Sequence, residues 1–174
     1  MESAVTAPVK RERALRLRRY LTGSAIAFGC AYLADGWFHS RYMICHNLTE
    51  SLPQHVFIVK KGDLPRPGDY IGFAVGGNAR QYPPGTVFIK IAVAGEGSCV
   101  EHRGGHVFVD GVDRGAILDA DHKGLPLRPG RTGVIPDGSY YVWTPHPQSY
   151  DSRYWDIGFP GLNSGVIGRA YALF

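Results

Sequence analysis

Residues 86–93 read TVFIKIAV, and this stretch decides the fold because it is the richest in β-branched side chains. Val, Ile and Thr favour extended structure, since two heavy atoms on Cβ restrict the first side-chain torsion. Apolar residues fill nearly every position, which predicts a strand buried on both faces. Lys90 interrupts the run, and a buried lysine costs free energy unless it is paired or neutral. Two interpretations stay open: a lysine that snorkels at a sheet edge, or an unprotonated lysine that serves as a base.

Further strand candidates lie on both sides of this stretch, and turn signals separate them. The candidates are residues 55–60 (HVFIVK), 70–75 (YIGFAV), 107–109 (VFV) and 139–144 (SYYVWT). Asp110 and Gly111 follow residues 107–109 and form a strong signal for a two-residue hairpin turn. The 23 Gly and 12 Pro among 174 residues fit many tight turns. The sequence therefore predicts one mainly β domain of short antiparallel strands.

The only convincing helix in the sequence lies near the N-terminus, where a basic block precedes an apolar stretch. The apolar stretch, residues 21–38 (LTGSAIAFGCAYLADGWF), is close to the minimum of about 17 residues for a membrane-spanning helix. Basic residues favour the cytoplasmic side of a membrane. We therefore predict a cytoplasmic segment at 1–19, a transmembrane anchor at 20–38 and an exported domain at 39–174. A cleaved signal peptide is the alternative interpretation.

The net charge of +4 comes from the basic block alone. Six of the 19 Lys and Arg residues lie in the first 19 positions, with two of the 15 Asp and Glu residues. The rest of the chain therefore carries 13 residues of each sign. A nucleic-acid-binding surface needs clustered basic side chains, so this balance argues against a nucleic-acid partner and favours a membrane topology signal.

Four short motifs follow one another along the chain: residues 47–53 (NLTESLP), 66–71 (RPGDYI), 88–97 (FIKIAVAGEG) and 149–155 (SYDSRYW). The series resembles the signal peptidase I superfamily, in which a Ser-x-Pro box, a Pro-Gly-Asp box, a Lys box ending in Gly-x-Gly and an Asp-Ser-Arg box occur in this order. Residues 165–170 (GVIGRA) resemble the last strand of that family. The resemblance implies a signal-peptidase-like antiparallel β domain and a serine–lysine endopeptidase that uses no cofactor and no metal.

Within that superfamily, the chain most resembles the TraF-type pilin peptidases of conjugative transfer systems. Thr49, Ser51 and Pro53 have the spacing of this branch, whereas housekeeping signal peptidases usually have one more residue between Ser and Pro. The chain also has no room for the large insertion of many housekeeping enzymes. One position departs from the branch, because His55 stands where its members usually have Gly.

The resemblance implies a role for each polar residue of the motifs. Ser51 would be the nucleophile, and Lys90 would be its general base, kept neutral by burial. The Thr49 hydroxyl and the Ser51 backbone N–H would form the oxyanion hole. Ser149 would orient the Lys90 side chain. Asp151 would be a candidate third catalytic residue, supported by an ion pair with Arg153.

Other interpretations of these residues stay open. Ser51 could be an ordinary turn serine, and Asp151 with Arg153 could be a purely structural ion pair. The histidines match no metal-binding spacing and are better explained as surface or loop residues. Cys45 and Cys99 would both lie in an oxidising compartment, where they would either form a disulfide or stay as two buried free thiols.

The function expected from the resemblance is the processing of an exported pilin precursor. The peptidase domain would lie in the periplasm at the inner (cytoplasmic) membrane, and its partners would be the membrane and the precursor. Water could resolve the acyl-enzyme and trim the pilin, or the amino terminus of the pilin could resolve it and cyclise the product. Two alternatives are a general signal peptidase that acts on many exported preproteins and a non-catalytic scaffold of a pilus or secretion complex.

Overall fold

The computed structural model describes residues 6–79 and 81–174, which divide into a helical unit and a β unit. Helix α1 spans Thr6–Arg41 and forms the first unit, so the predicted helix exists and is longer than predicted. The division falls after Arg41, three residues later than the predicted boundary at 38/39.

The structure does not bear out the membrane-spanning character predicted for residues 20–38. In residues 6–79 and 81–174, no helix combines the length and the apolar character needed to cross a bilayer. The reason lies in the composition of α1. Ser24, Asp35 and three glycines dilute its apolar stretch, and arginines precede that stretch within the same helix.

The described residues of the second unit form ten strands, and all of the pairings between these strands are antiparallel. They are β1 (Tyr42–His46), β2 (Val56–Lys61), β3 (Tyr70–Ala74), β4 (Val87–Ala94), β5 (Cys99–Arg103), β6 (His106–Val109), β7 (Val112–Ala116), β8 (Gly133–Val134), β9 (Tyr141–Trp143) and β10 (Val166–Ala172). The prediction of a mainly antiparallel β domain is confirmed. Each strand candidate from the sequence matches one of these strands to within two residues at either end.

The strands form two sheets with the orders β1-β2-β10-β3-β4-β9 and β7-β6-β5-β8. The last strand of the chain, β10, therefore lies between β2 and β3 in the larger sheet. The predicted hairpin joins β6 to β7, with φ of 50° at Asp110 and 77° at Gly111. Two successive positive φ values match the twist of the flanking strands, which is why this residue pair was a good hairpin signal.

The larger sheet positions the residues of the site, because the loop between β1 and β2 packs directly on the apolar core of this sheet. Leu52 from this loop packs with Phe57 and Val59 of β2 and Ile89 of β4. Lys90 follows Ile89 on β4 and lies opposite Ile71 of β3. An inner strand of the sheet and a loop at the sheet edge thus approach each other over one buried cluster.

Candidate active site

Ser51 lies in the loop of residues 47–55, which connects β1 to β2. The next residue, Leu52, is 2% exposed and inserts into the core against Phe57 and Val59. Burying a leucine side chain stabilises the fold by roughly 2 kcal/mol. Leu52 therefore anchors the loop from below and holds Ser51 at the surface of the domain.

The side-chain amide of Asn47 ties the two ends of this loop together. Its nitrogen donates to the carbonyl oxygens of Leu52 and Gln54, each at 3.0 Å. Its oxygen accepts from the Thr49 backbone N–H at 3.3 Å and from the Thr49 hydroxyl at 3.1 Å. The Thr49 hydroxyl in turn lies 2.9 Å from Ser51 Oγ. These contacts place two hydroxyl groups side by side at the top of the loop.

Lys90 reaches the loop from β4. Its Nζ lies 3.1 Å from Ser51 Oγ and 2.9 Å from Ser149 Oγ, although the residue is only 6% exposed. Burial lowers the pKa of Lys90 from 10.5 to about 8 because the charged form loses its hydration. The negative charge of Asp151 opposes this change in pKa, and the positive charge of Arg153 adds to it. A minor fraction of Lys90 is therefore neutral near physiological pH, and this neutral form is the one that can act as a general base.

Asp151 and Arg153 form a buried ion pair behind the lysine. Arg153 Nε and Nη2 each donate to one carboxylate oxygen of Asp151 at 2.9 Å, and the residues are 2% and 0% exposed. The guanidinium also donates to the carbonyl oxygens of His146, Pro147 and Ser149 at 3.0–3.2 Å. The pair thus holds the segment that presents Ser149 Oγ to Lys90. This bidentate geometry is among the stronger ion-pair arrangements in proteins.

A cleft of about 440 Å³ opens beside these groups. Thr49, Ser51, Lys90 and Ser149 lie along its wall, together with aromatic side chains such as Tyr82. Tyr82 packs edge-on against Phe88 and beside Tyr150, with ring centroids 4.8 and 5.9 Å apart. An apolar cleft with a few convergent polar groups is the usual form of a substrate site. This one could seat apolar side chains next to a bond that Ser51 could attack.

Comparison with known proteins identifies the family to which the chain belongs. The model of the family described as "Signal peptidase, peptidase S26" matches residues 17–174, which is most of the chain. The chain belongs to the signal peptidase S26 family. Its members are serine peptidases, and the four residues brought together in the cleft lie inside the matched range.

One curated relative of this S26 family member comes from a conjugative system. The probable conjugal transfer protein TraF of Sinorhizobium fredii (strain NBRC 101917 / NGR234) is 35% identical to it over 91 residues. The alignment covers 50% of this chain and 46% of the relative, so the chain spans about half the length of the curated relative it matches. The resemblance to the S26 superfamily and to its TraF-type branch is confirmed.

The S26 domain brings together four of the six predicted site residues and places the other two behind them. Ser51, Thr49 and Ser149 are joined through Lys90 and each other by hydrogen bonds of 2.9–3.1 Å. Asp151 makes its hydrogen bonds in the described residues with Arg153 and with the backbone N–H groups of 144 and 153. Its influence on Lys90 is therefore that of a nearby charge, not of a hydrogen-bond partner.

Cys45 and Cys99 do not form the disulfide that was one of the two predictions, and the other prediction, two buried free thiols, does not fit the exposed Cys99. Cys45 and Cys99 are both free. Cys45 lies on β1 of the larger sheet and is half-buried, whereas Cys99 lies on β5 of the smaller sheet and is exposed. The two thiols thus belong to different sheets. In the described part of the chain, no group of three or more His, Cys, Asp or Glu residues could hold a metal ion.

The sequence interpretation missed two residues that build the site. Asn47 has a recognisable signal, because Asn at a strand end two residues before Thr fits an Asx turn. Gly130 packs against the last motif, where its N–H donates to the Arg153 carbonyl at 2.7 Å. A Cβ on Gly130 would lie 2.3 Å from the Ser152 carbonyl oxygen. No local pattern in the sequence indicates this close approach, since it joins segments that are 22 residues apart.

Proposed function

We propose that this S26 family member is a serine endopeptidase that cuts an exported pilin precursor of a conjugative transfer system through a Ser51–Lys90 dyad. One observation carries the proposal. Lys90 Nζ lies 3.1 Å from Ser51 Oγ in a site where only 6% of the lysine is exposed. A nucleophile within hydrogen-bond reach of a base with a lowered pKa is the arrangement that covalent catalysis requires.

In the proposed reaction, Ser51 Oγ attacks the carbonyl carbon of the scissile peptide bond and its proton passes to neutral Lys90. The Thr49 hydroxyl, 2.9 Å from Ser51 Oγ, then stabilises the oxyanion together with the Ser51 backbone N–H. Lys90 returns the proton to the leaving amine as the peptide bond breaks, which leaves an ester on Ser51. Ser149, 2.9 Å from Lys90 Nζ, keeps the amine directed at the reacting atoms.

The ester can be resolved in two ways. Water can attack it after giving a proton to Lys90, which yields a trimmed pilin. Alternatively, the free amino terminus of the same pilin can attack the ester carbonyl. The new peptide bond then forms as the ester bond to Ser51 breaks, the amine proton passes through Lys90 to Ser51 Oγ, and the product is cyclic. We propose that the domain works at the outer face of the cytoplasmic membrane, since the family acts on exported precursors. This placement does not depend on α1.

For Asp151 and Arg153 we propose a supporting role. Their ion pair binds three carbonyl oxygens of residues 146–149 and so fixes the position of Ser149. In this view Asp151 supports catalysis through Ser149 and through its charge, and it takes no proton during the reaction.

The test is an incubation of the purified protein with the pilin precursor encoded in the same transfer system, followed by the mass of the product. Hydrolysis and cyclisation differ by one water, so the mass separates them. Ser51→Ala and Lys90→Ala should abolish both products, while Lys123→Ala, which changes an exposed loop lysine, should leave the rate unchanged.

Two results would redirect the proposal. Equal cleavage of unrelated secretory precursors would indicate a general signal peptidase. Full transfer activity in cells that carry only Ser51→Ala would indicate a scaffold, because no chemistry at Ser51 would then be required.

A further inference from the structure

The orientation of the Asn47 amide can be assigned from its partners. Two of its hydrogen bonds go to the carbonyl oxygens of Leu52 and Gln54, which can only accept. The group that faces them must therefore be the NH₂. The opposite atom is the amide oxygen, which can only accept, so the Thr49 hydroxyl donates to it at 3.1 Å.

This assignment sets the direction of a chain of hydrogen bonds. When Lys90 is an ammonium, it donates to Ser51 Oγ, Ser51 donates to Thr49 Oγ1, and Thr49 donates to Asn47. The same amide oxygen also accepts from the Thr49 backbone N–H at 3.3 Å. Asn47 thus holds both the backbone and the side chain of Thr49, and it fixes where Oγ1 lies relative to Ser51.

Asn47 is also held firmly itself. Its backbone N–H donates to the His55 carbonyl at 2.8 Å, so main chain and side chain together span the loop from its first residue to its last. Thr49 is exposed and makes no other described hydrogen bond from its side chain besides those to Asn47 and Ser51. Without Asn47, the Thr49 side chain would be free to turn toward solvent.

We propose that Asn47 is a positioning residue that acts through Thr49 and keeps its hydroxyl beside Ser51 for oxyanion stabilisation. This inference rests on the proposed function, in which the Thr49 hydroxyl turns its one proton from the Asn47 oxygen to the oxyanion. Asn47 meanwhile keeps its hydrogen bond to the Thr49 backbone N–H and so holds Oγ1 in place. The inference assigns to Asn47 a role in the rate of the chemical step, and it assigns substrate binding to other parts of the cleft.

The first test is the kinetics of Asn47→Ala on the pilin precursor. We expect kcat to fall on the order of 100-fold, as for the loss of one oxyanion-hole donor, while KM changes by less than about threefold. Asn163→Ala is the matched control, because Asn163 is exposed in a turn and does not line the cleft, and it should leave kcat unchanged. If Asn47→Ala does not yield folded protein, Asn47→Leu carries the same test with the same expected result, because leucine keeps the size of the side chain and none of its hydrogen bonds.

The second test separates positioning from general loop support. Thr49→Val removes the hydroxyl while keeping the shape of the side chain, so it should reduce kcat to a similar extent. If Asn47 acts through Thr49, adding Asn47→Ala to Thr49→Val should cause less than about a threefold further loss. A purely structural role predicts that the two losses multiply, since loosening the loop would also displace Ser51.

The outcomes are distinct. An unchanged kcat in Asn47→Ala, a loss that appears in KM alone, or multiplying losses in the double variant would each overturn the role of Asn47. Full activity of Ser51→Ala and Lys90→Ala would instead overturn the proposed function. Inactive dyad variants together with a fully active Asn47→Ala would reject only the inference drawn here.

Discussion

Replacing Lys90 with Met should stabilise the folded domain at neutral pH and should do so less as the pH rises. Burial lowers the pKa of Lys90 from 10.5 to about 8. A tenfold change in proton affinity corresponds to about 1.4 kcal/mol, so keeping this lysine protonated in the fold costs about 3 kcal/mol. Methionine is similar in length and carries no charge, so the variant does not bear this cost.

The sign of the pH dependence follows from the two pKa values. Between pH 8 and pH 10.5 the unfolded chain holds a proton that the folded chain has released, so the unfolding free energy of the native protein rises with pH across this window. Below pH 8 both states are protonated and the full cost is present. The electrostatic advantage of Lys90→Met should therefore fall from about 3 kcal/mol at pH 7 to about 1 kcal/mol at pH 10.

Urea denaturation at pH 7 and pH 10 measures this difference directly. The loss of the Lys90 hydrogen bonds to Ser51 and Ser149 lowers the stability of the variant by a similar amount at both pH values, so it does not affect the comparison. Lys123→Met is the control at an exposed lysine. A difference between native protein and Lys90→Met that stays constant from pH 7 to pH 10 would refute the lowered pKa.

Three further predictions concern the same site. The logarithm of kcat/KM should rise with unit slope below about pH 8 and level off above it, because only neutral Lys90 accepts the Ser51 proton; a rate that is flat from pH 6 to pH 9 would exclude it as the base. Asp151→Asn should lower the unfolding free energy by about 3 kcal/mol, since it leaves a buried guanidinium unpaired, and urea denaturation that shows full stability would contradict the structural role. Gly130→Ala should lower both kcat and the thermal midpoint, because its Cβ would lie 2.3 Å from a carbonyl oxygen of the last motif; Gly77→Ala, where a Cβ meets nothing within 4 Å, is its control.

The parts of the fold that could be predicted from sequence are those with a local cause. Residues 86–93 are β-branched and apolar, and the Asp110-Gly111 pair suits positive φ, so β4 and the β6–β7 hairpin follow from a few residues each. Strands β1 and β5 were not found because they are partly exposed and carry polar residues such as His46 and Glu101, which leave no clear apolar pattern. Their place in the sheets depends on partners distant in the chain.

The residues of the site can likewise be separated into those that a local sequence pattern indicates and those that depend on contacts between distant residues. Ser51 and Lys90 could be proposed because each lies in a motif with a chemical meaning, yet their 3.1 Å contact joins residues 39 positions apart and needs the folded sheet. Asn47 and Gly130 act through contacts that no spacing rule encodes fully. The presence of the helical segment could be predicted, but its length could not, since it extends from Thr6 to Arg41. Its apolar stretch also does not reach the length and apolar character needed to cross a bilayer.

The two members of the buried ion pair act on the pKa of Lys90 in opposite directions. Asp151 alone would stabilise the Lys90 ammonium, raise its pKa and so remove the base at working pH. Arg153 acts on the pKa of Lys90 in the opposite direction. Because Arg153 forms a bidentate ion pair with Asp151, burial remains the largest influence on the pKa of Lys90. The pair can therefore hold Ser149 in place from a position close to Lys90 without raising the pKa of Lys90. For this reason Arg153→Met should harm catalysis twice: it releases the Ser149 segment, and it raises the pH at which kcat/KM levels off. A pH profile that keeps its midpoint in Arg153→Met would limit the role of the pair to structure.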